Sequence, residues 1–231
     1  MLARQMTGAM RSRRLSDVNS IQDLGAASSI IDNNIAVTQD EILDHFRNTN
    51  ALLEGHFVLS SGLHSPTYLQ CALALQKPAD ADRFAREVVN RMALDRSIAG
   101  VETVASPAIG GLVIGFAVAQ AIGVRFIWTE RQNGEMTLRR GFSVRKGEKV
   151  LVVEDVITTG GSTRECMATL EEHGAEIIAA ASIVDRSAGK ADVGVPRTAL
   201  VSLDVPSYQA ASCPLCAAGS AAVKPGSRTS Q

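Results

Sequence analysis

Short aliphatic runs alternate with amphipathic segments along residues 37–206. The runs that read as buried strands are 101–105, 124–128, 150–153 and 177–184, and 200–205 is a candidate for the last strand. Apolar residues spaced three and four apart predict helices between them. These helices cover 79–94, 111–122 and 162–173, with Gly174 at the C-terminal end of the last. Strands that alternate with helices indicate an α/β fold, with a mostly parallel central sheet flanked by helices.

The N-terminal part of this region predicts a helix followed by a hairpin. Thr38 and Glu41 have the spacing of a capping box, so a helix should begin there, and we expect Gly55 to end it. Residues 57–59 and 67–69 then read as two short strands around a turn at 60–62.

Three further segments lack this regular pattern. Residues 129–149 are polar and hold most of the local arginines, and they predict a long exposed excursion, for which a β-ribbon is the candidate form. After Pro206 the composition shifts to Ala, Ser, Gly and Pro, which predicts a loose C-terminal tail over 207–231. Residues 1–36 read as an N-terminal extension that is disordered or mis-started. Residues 1–16 carry four arginines and no acidic residue, a composition that also resembles an organelle transit segment.

Composition narrows the function class. The chain of 231 residues is 45% hydrophobic but only 4% aromatic, so its core must be aliphatic. A net charge of −1 argues against nucleic-acid binding through a basic field. Residues 104–124 carry no charge, yet Pro107, Gly110 and Gly111 divide them into strand, loop and helix, so no membrane span is expected. No secretory signal is evident, which predicts a cytoplasmic protein.

The strongest chemical signal is the segment V-L-V-V-E-D-V-I-T-T-G-G-S-T at 150–163. An aliphatic strand ends in Glu154 and Asp155, and a loop of hydroxyls and glycines then opens a helix. Ligands of open α/β sheets bind at the carboxyl ends of strands. A glycine-rich turn into a helix N-terminus presents N–H groups to a phosphate, and carboxylates accept hydrogen bonds from sugar hydroxyls. The segment therefore predicts a site for a phosphorylated sugar.

Other phosphate motifs do not fit this segment. The ATP-type loop needs a lysine before its final hydroxyl residue, and the dinucleotide fingerprint needs G-x-G-x-x-G. A strand that merely ends in acids before a capped helix is the remaining interpretation. Adjacent acids at the end of a buried strand are costly without partners, which disfavours it.

Segment 150–163 resembles the signature of type I phosphoribosyltransferases for phosphoribosyl pyrophosphate (PRPP). Residues 55–70, G-H-F-V-L-S-S-G-L-H-S-P-T-Y-L-Q, look like the base-covering hood of the orotate phosphoribosyltransferases. The likeness continues through 106–111, placed like the family's pyrophosphate loop, and through Asp185-Arg186, and covers about residues 41–205. It implies the type I phosphoribosyltransferase fold in a domain at 37–206, with a small hood at about 37–75 and a mobile lid at about 129–146.

The resemblance also implies roles for individual residues. Those implied to bind PRPP are Ile109, Gly110, Arg131, Glu154, Asp155, Val156, Ile157, Thr158, Thr159, Gly160, Gly161 and Ser162. Those implied to bind orotate are Tyr68, Leu69, Thr158 and Arg186. Glu154, Asp155, Arg139 and Arg140 are the expected catalytic residues. Simpler alternatives stay open: Arg186 paired with Asp185 at the surface, and a solvated hairpin for the lid arginines.

The chain departs from the family's best-known members in the lid, which here has arginines in place of lysines and a histidine. Ser60 also stands where those members have a lysine, and a lysine expected near Ile109 is missing. The predicted reaction is direct displacement at C1 of the sugar, with Mg²⁺ held mainly through PRPP rather than by a protein side chain. We expect a homodimer, no nucleic-acid partner and no membrane partner. Alternatives are transfer to adenine or uracil, or a PRPP-sensing regulator.

Cys213 and Cys216 have the spacing of half a zinc site. No second pair or nearby histidine completes four ligands in the sequence, so a reduced pair in the tail is expected. His56 and His64 are interpreted as turn residues of the hood.

Overall fold

The computed structural model describes residues 37–59 and 61–225. The predicted extension at 1–36, Ser60 and the last six residues lie outside the described part. The helices are α1 (Gln39–Asn48), α2 (Cys71–Ala74), α3 (Pro78–Leu94), α4 (Leu112–Ile122), α5 (Gly161–Glu172) and α6 (Pro214–Ala217). The strands are β1 (Leu52–Val58), β2 (His64–Leu69), β3 (Thr103–Pro107), β4 (Arg125–Gln132), β5 (Glu135–Leu138), β6 (Lys149–Ile157), β7 (Glu176–Asp185) and β8 (Arg197–Ser202).

The main sheet has six strands in the order β5-β4-β3-β6-β7-β8. Every neighbouring pair is parallel except β4 and β5, which form an antiparallel ribbon. This confirms the predicted mostly parallel α/β sheet. Because β3, β6 and β7 are adjacent and parallel, their carboxyl ends meet at one edge, where the sequence places its candidate site.

The aliphatic core lies on both faces of this sheet. On β6, Leu151 and Val153 belong to the larger cluster, which also contains residues of α1, α3 and α4. Val150 and Val152 face the other cluster, which contains residues of α5. Successive side chains of a strand point to opposite faces, so the uninterrupted aliphatic run is explained by burial on both sides.

Several predicted boundaries shift. The Thr38 capping box is present, with the Thr38 hydroxyl accepting from the Glu41 N–H at 3.2 Å. The helix ends at Asn48, however, and Gly55 lies inside β1, so the prediction that Gly55 ends a helix was wrong. The last strand covers 197–202, earlier than the predicted 200–205. No helix in the described ranges is long and apolar enough to cross a membrane.

The prediction of a loose tail at 207–231 differs from the structure over 207–225. The His64 and Tyr208 backbones exchange two hydrogen bonds of 2.8 Å, and the Val58 N–H donates to the Val223 carbonyl at 2.8 Å. The small hairpin sheet of β1 and β2 thus gains partners on its edges. Composition alone could not predict this contact, because backbone pairing depends on which edges the fold leaves open.

Candidate active site

The two carboxylates at the end of β6 lie on opposite faces of the sheet. Glu154 continues the row of Val150 and Val152 toward α5, and its carboxylate accepts a hydrogen bond from the Thr163 hydroxyl at 2.9 Å. Asp155 faces the loop after β3, where a Cβ added to Gly110 would lie 2.7 Å from a carboxylate oxygen. Gly110 therefore allows a close approach that a larger residue would block.

Burial perturbs both carboxyl groups. It raises the pKa of Glu154 from its ordinary value of 4.5 to about 7, and the charge of Asp155 adds to the effect. Burial likewise raises the pKa of Asp155. In the described part of the chain no arginine, lysine or histidine forms an ion pair with either group. A buried acid next to a half-buried one, both without a cationic partner, is expected where a ligand supplies the compensating groups.

The loop after β6 leads into the N-terminus of α5. Gly160, the N-cap residue, has a φ of 76°, in the left-handed region, and a Cβ added there would lie 2.8 Å from a Val193 methyl carbon. Among the described side chains none caps this helix, so its first N–H groups face the loop. A helix N-terminus with free N–H groups binds anions such as phosphate.

A cavity of about 620 Å³ opens over this loop and the end of β6. It is lined by Ser61, Pro107, Ala108, Gly110, Gly111, Arg131, Met136, Glu154, Asp155, Val156, Thr158, Thr159, Gly160, Gly161, Ser162 and Glu165. Both carboxylates and the start of α5 therefore border one space, which we call the phosphate cavity.

A second cavity of about 790 Å³ lies beneath the hairpin, and we call it the base cavity. Its lining includes Leu59, Leu63, Tyr68, Leu69, Asp155, Thr158, Arg164, Arg186, Lys190 and Asp192. Asp155, Val156, Thr158, Thr159 and Ser61 line both cavities. The two spaces therefore adjoin along the end of β6, so one ligand could span the boundary between them.

Arg186 lines the base cavity and does not form an ion pair with its neighbour Asp185. Asp185 instead forms a 2.9 Å ion pair with Arg197 and accepts hydrogen bonds from the Ser187 and Gly189 N–H groups. The alternative that Arg186 pairs with Asp185 was therefore wrong. One Arg186 Nη donates to the Ser65 hydroxyl at 3.0 Å, while its buried Nε–H has no partner in the part of the chain that is described. A guanidinium with an unused buried donor can bind a planar anion.

The arginines of the β4–β5 ribbon divide into two groups. Arg131 lines the phosphate cavity, where it pairs with Glu165 and donates to the Gly134 carbonyl at 2.7 Å. Arg139 and Arg140 line neither cavity, and both pair with Glu130, at 3.2 and 2.9 Å. The structure thus brings one predicted arginine to the site and leaves two outside it.

The remaining site predictions have different outcomes. Gly110 lines the phosphate cavity, but Ile109 is 83% exposed, Ile157 is fully buried, and neither isoleucine lines a cavity. The peptide bond between Ala108 and Ile109 is cis.

The residues that sequence reasoning missed lie mainly in the base cavity. Arg164, Lys190 and Asp192 line it beside the predicted Tyr68, Leu69, Thr158 and Arg186. Arg164 directly follows segment 150–163 and could have been included on that ground. Lys190 and Asp192 follow Asp185-Arg186 in an irregular loop, where no periodic pattern marks the inward side chains.

Comparison with known proteins gives a consistent result. The family described as phosphoribosyl transferase domain matches residues 79–196. The chain is 50% identical over 192 residues to the orotate phosphoribosyltransferase of Pelotomaculum thermopropionicum, which covers 83% of this chain and 99% of that protein. It is also 50% identical over 194 residues to the orotate phosphoribosyltransferase of Heliobacterium modesticaldum, covering 84% of this chain and all of that protein.

Solved structures agree on the fold. The orotate phosphoribosyltransferase of Aeropyrum pernix superposes with a TM-score of 0.56 at 26% identity, covering 70% of this chain and 93% of that one. The Leishmania donovani UMP synthase gives a TM-score of 0.61 at 22% identity, covering 73% of this chain and 37% of that one. These neighbours confirm the predicted type I phosphoribosyltransferase fold.

Proposed function

Since this chain belongs to the orotate phosphoribosyltransferase family, we propose that it transfers the 5-phosphoribosyl group from PRPP to orotate. The products are orotidine 5′-phosphate and pyrophosphate, a step of pyrimidine biosynthesis. The observation that carries this proposal is the shared wall of the two cavities. An N-terminus of α5 without a side-chain cap and the paired carboxylates adjoin a second space that holds an arginine with an unused donor.

In this proposal the phosphate cavity binds PRPP. Thr158, Thr159, Gly160, Gly161 and Ser162 surround the 5-phosphate, with N–H groups and hydroxyls as donors. The carboxylates of Glu154 and Asp155 accept hydrogen bonds from the 2- and 3-hydroxyls of the ribose, which adds donors to two acids that have no cationic partner in the described chain. Val156 and Ile157 supply the backbone that leads into the loop.

The base cavity would bind orotate. Arg186 is suited to the orotate carboxylate, because a guanidinium can donate two parallel hydrogen bonds to it. Tyr68 and Leu69 provide an apolar wall against the ring, and Thr158, which lines both cavities, can bond to its polar edge.

Catalysis would rest on positioning and electrostatics. Positive charge develops on the ribose ring as the bond from C1 to pyrophosphate breaks, and the orotate nitrogen attacks from the opposite face. The uncompensated carboxylates suit a ligand that carries a divalent cation, so Glu154 and Asp155 would hold PRPP whose own oxygens bind Mg²⁺. When bound, Mg²⁺ supplies charge neutralisation of the leaving pyrophosphate. No protein nucleophile is required.

The ribbon at 129–146 would act as the lid. Arg131 already lines the phosphate cavity. Arg139 and Arg140 would exchange Glu130 for pyrophosphate when the ribbon closes, since exposed ion pairs contribute little and are readily replaced. A closed lid would keep water from the reactive sugar.

We also propose a cytoplasmic homodimer without a nucleic-acid or membrane partner. Ile109, Val113 and Phe116 are 83%, 48% and 59% exposed, and together they suggest an apolar surface beside the site that a second copy could cover. The free thiols of the four cysteines are compatible with a reducing compartment. Light scattering during size exclusion should give twice the chain mass, and a Phe116→Glu variant should shift it toward the monomer. A monomeric wild-type protein would overturn this part.

A turnover assay tests the function. Purified protein is given PRPP and Mg²⁺ with orotate, adenine or uracil in separate reactions, and pyrophosphate release is measured. We expect turnover with orotate far above that with the other bases. The double variant Glu154→Gln and Asp155→Asn should lose activity while keeping its circular dichroism spectrum. Faster turnover of adenine or uracil, or near-normal activity of the double variant, would contradict the proposal.

A further inference from the structure

Two pairs of side chains from distant parts of the sequence converge at the hairpin. His56 lies on β1, His64 begins β2, Cys213 is the N-cap residue of α6, and Cys216 lies inside that helix. One nitrogen or sulfur atom from each lies within 4.8 Å of all the others. None of the four lines either cavity, so this cluster is separate from the candidate active site. The sequence-based expectation that no histidine lies near the two cysteines was wrong.

The spacing of these atoms suits a tetrahedral metal ion. Cys213 Sγ lies 3.5 Å from His56 Nε2, and Cys216 Sγ lies 3.8 Å from His56 Nε2 and 3.3 Å from His64 Nδ1. In a tetrahedron with ordinary zinc–nitrogen and zinc–sulfur bonds, a nitrogen and a sulfur are about 3.6 Å apart. His56 Nε2 and His64 Nδ1 are 2.8 Å apart, and they would need to separate by about half an ångström around an ion.

The surroundings of His56 orient it as a ligand. His56 Nδ1 lies 2.9 Å from the Ser220 carbonyl, which can only accept, so this nitrogen carries the proton. Nε2 of a neutral ring is then left with its lone pair directed at the cluster. Metal-binding histidines usually donate the N–H of the other ring nitrogen to a carbonyl or carboxylate, as His56 Nδ1 does here.

A shared proton between the two imidazoles could explain the histidine pair alone. It does not explain why two thiols converge on the same nitrogen atoms, because a thiol is a weak hydrogen-bond partner. His56, His64 and Cys213 are 5%, 9% and 2% exposed, while Cys216 is exposed. Three of the four residues are thus shielded from solvent, and the exposed Cys216 leaves a path by which an ion can enter.

We propose that His56, His64, Cys213 and Cys216 together bind one Zn²⁺. Two thiolates and two imidazoles form a borderline-soft donor set that favours Zn²⁺ over the oxygen-binding Mg²⁺. Four protein ligands leave no open coordination position, so the ion is structural rather than catalytic.

The ion would tie the C-terminal segment to the hairpin. A two-stranded hairpin is marginally stable by itself. Its residues Leu59, Leu63 and Tyr68 form a wall of the base cavity, and the ion would hold that wall in place from behind. Backbone pairing of Tyr208 and Val223 with the same hairpin brackets the cluster on both sides.

Metal content of the intact protein tests the proposal. The chain is expressed with zinc in the medium, purified under reducing conditions without chelators, and analysed by plasma mass spectrometry. We expect about one Zn²⁺ per chain. Cys216→Ser and His64→Gln should lower zinc content at least about ten-fold. Cys166→Ala and His173→Gln, which alter a cysteine and a histidine outside the cluster, should keep the metal.

Cobalt replacement keeps the test valid if a ligand variant does not fold. Wild-type protein in which Co²⁺ replaces the metal should show the visible bands of tetrahedral cobalt and a sulfur-to-cobalt charge-transfer band. A zinc-selective chelator should also make residues 207–225 more sensitive to protease. Wild-type protein that binds neither zinc nor cobalt would overturn the proposal, as would cobalt spectra without thiolate ligation. The proposal would also be overturned by a disulfide between Cys213 and Cys216 in protein purified under reducing conditions. It would be overturned as well if the control variants lost as much zinc as the ligand variants.

Discussion

Replacing Glu154 by glutamine should stabilise the ligand-free protein at alkaline pH, although it removes a proposed substrate-binding group. The Glu154 side chain is 8% exposed and has no cationic partner in the described chain, so its negative charge is costly in the folded state. Glutamine is nearly isosteric, and its carbonyl oxygen can still accept the hydrogen bond from Thr163. The substitution therefore removes the charge and leaves the packing almost unchanged.

The size and sign of the effect follow from the pKa of Glu154. The folded pKa of about 7 lies above the ordinary value of 4.5, so the folded protein binds this proton more tightly than the unfolded chain does. The contribution of Glu154 to stability is then most favourable below pH 4.5, falls as the pH rises from 4.5 to 7, and is constant above about 7. The cost of the charge is about 1 kcal/mol at pH 5 and about 3 kcal/mol at pH 8.5. The Glu154→Gln variant should gain stability relative to wild type by about 2–3 kcal/mol between these pH values.

Urea unfolding followed by circular dichroism at pH 5, 6, 7 and 8.5 measures this difference. Any constant offset from the glutamine amide is the same at every pH, so the slope against pH isolates the charge. Glu172→Gln, at an exposed position on α5, is the matched control and should give a flat difference. A flat difference for Glu154→Gln as well would refute the idea that burial of this carboxylate destabilises the apo fold.

Three further experiments test other parts of the site. Arg186→Ala should raise the KM for orotate by about 10- to 100-fold with little change in the KM for PRPP, because a charged hydrogen bond contributes about 1.5–3 kcal/mol; an equal rise in both constants would contradict the assignment. Gly160→Ala should lower the free energy of unfolding more than Gly194→Ala does. Both glycines have positive φ, but only at Gly160 would the added methyl group meet a neighbour within 4 Å, so equal urea midpoints would count against the close approach. Arg139→Ala and Arg140→Ala should lower kcat more than PRPP affinity, and unchanged steady-state rates would assign these residues to the solvent-exposed ribbon.

Features that depend on neighbours in sequence could be predicted from the sequence. The strand, paired acids and glycine loop of 150–163 form one continuous segment, and the structure has them as β6, its end and the start of α5. The capping box at Thr38 is equally local. Boundaries failed where tertiary pairing overrides local pattern: Leu52 and Leu53 continue an apolar spacing typical of a helix, yet they pair with Leu69 and Tyr68 in the hairpin.

The contents of the candidate site were only partly predictable. That Glu154 and Asp155 end a strand follows from sequence, and strand alternation places them on opposite faces. Whether Arg186 is free could not be predicted, because its neighbour Asp185 pairs with Arg197, twelve residues after Asp185 in the chain. That ion pair joins side chains of β7 and β8, two strands that only the fold brings side by side.

By itself the sequence determined the fold class, the family resemblance and the segment proposed to bind phosphate, because hydrophobic period and motif spacing act over short stretches of chain. Tertiary structure alone decided which side chains meet across the fold. It joined the two cavities along the end of β6, and it brought Cys213 and Cys216 to His56 and His64, across more than 150 residues. The physical reason is that such contacts are made by the closing of the hairpin and the return of the C-terminal segment, and no local pattern encodes either event.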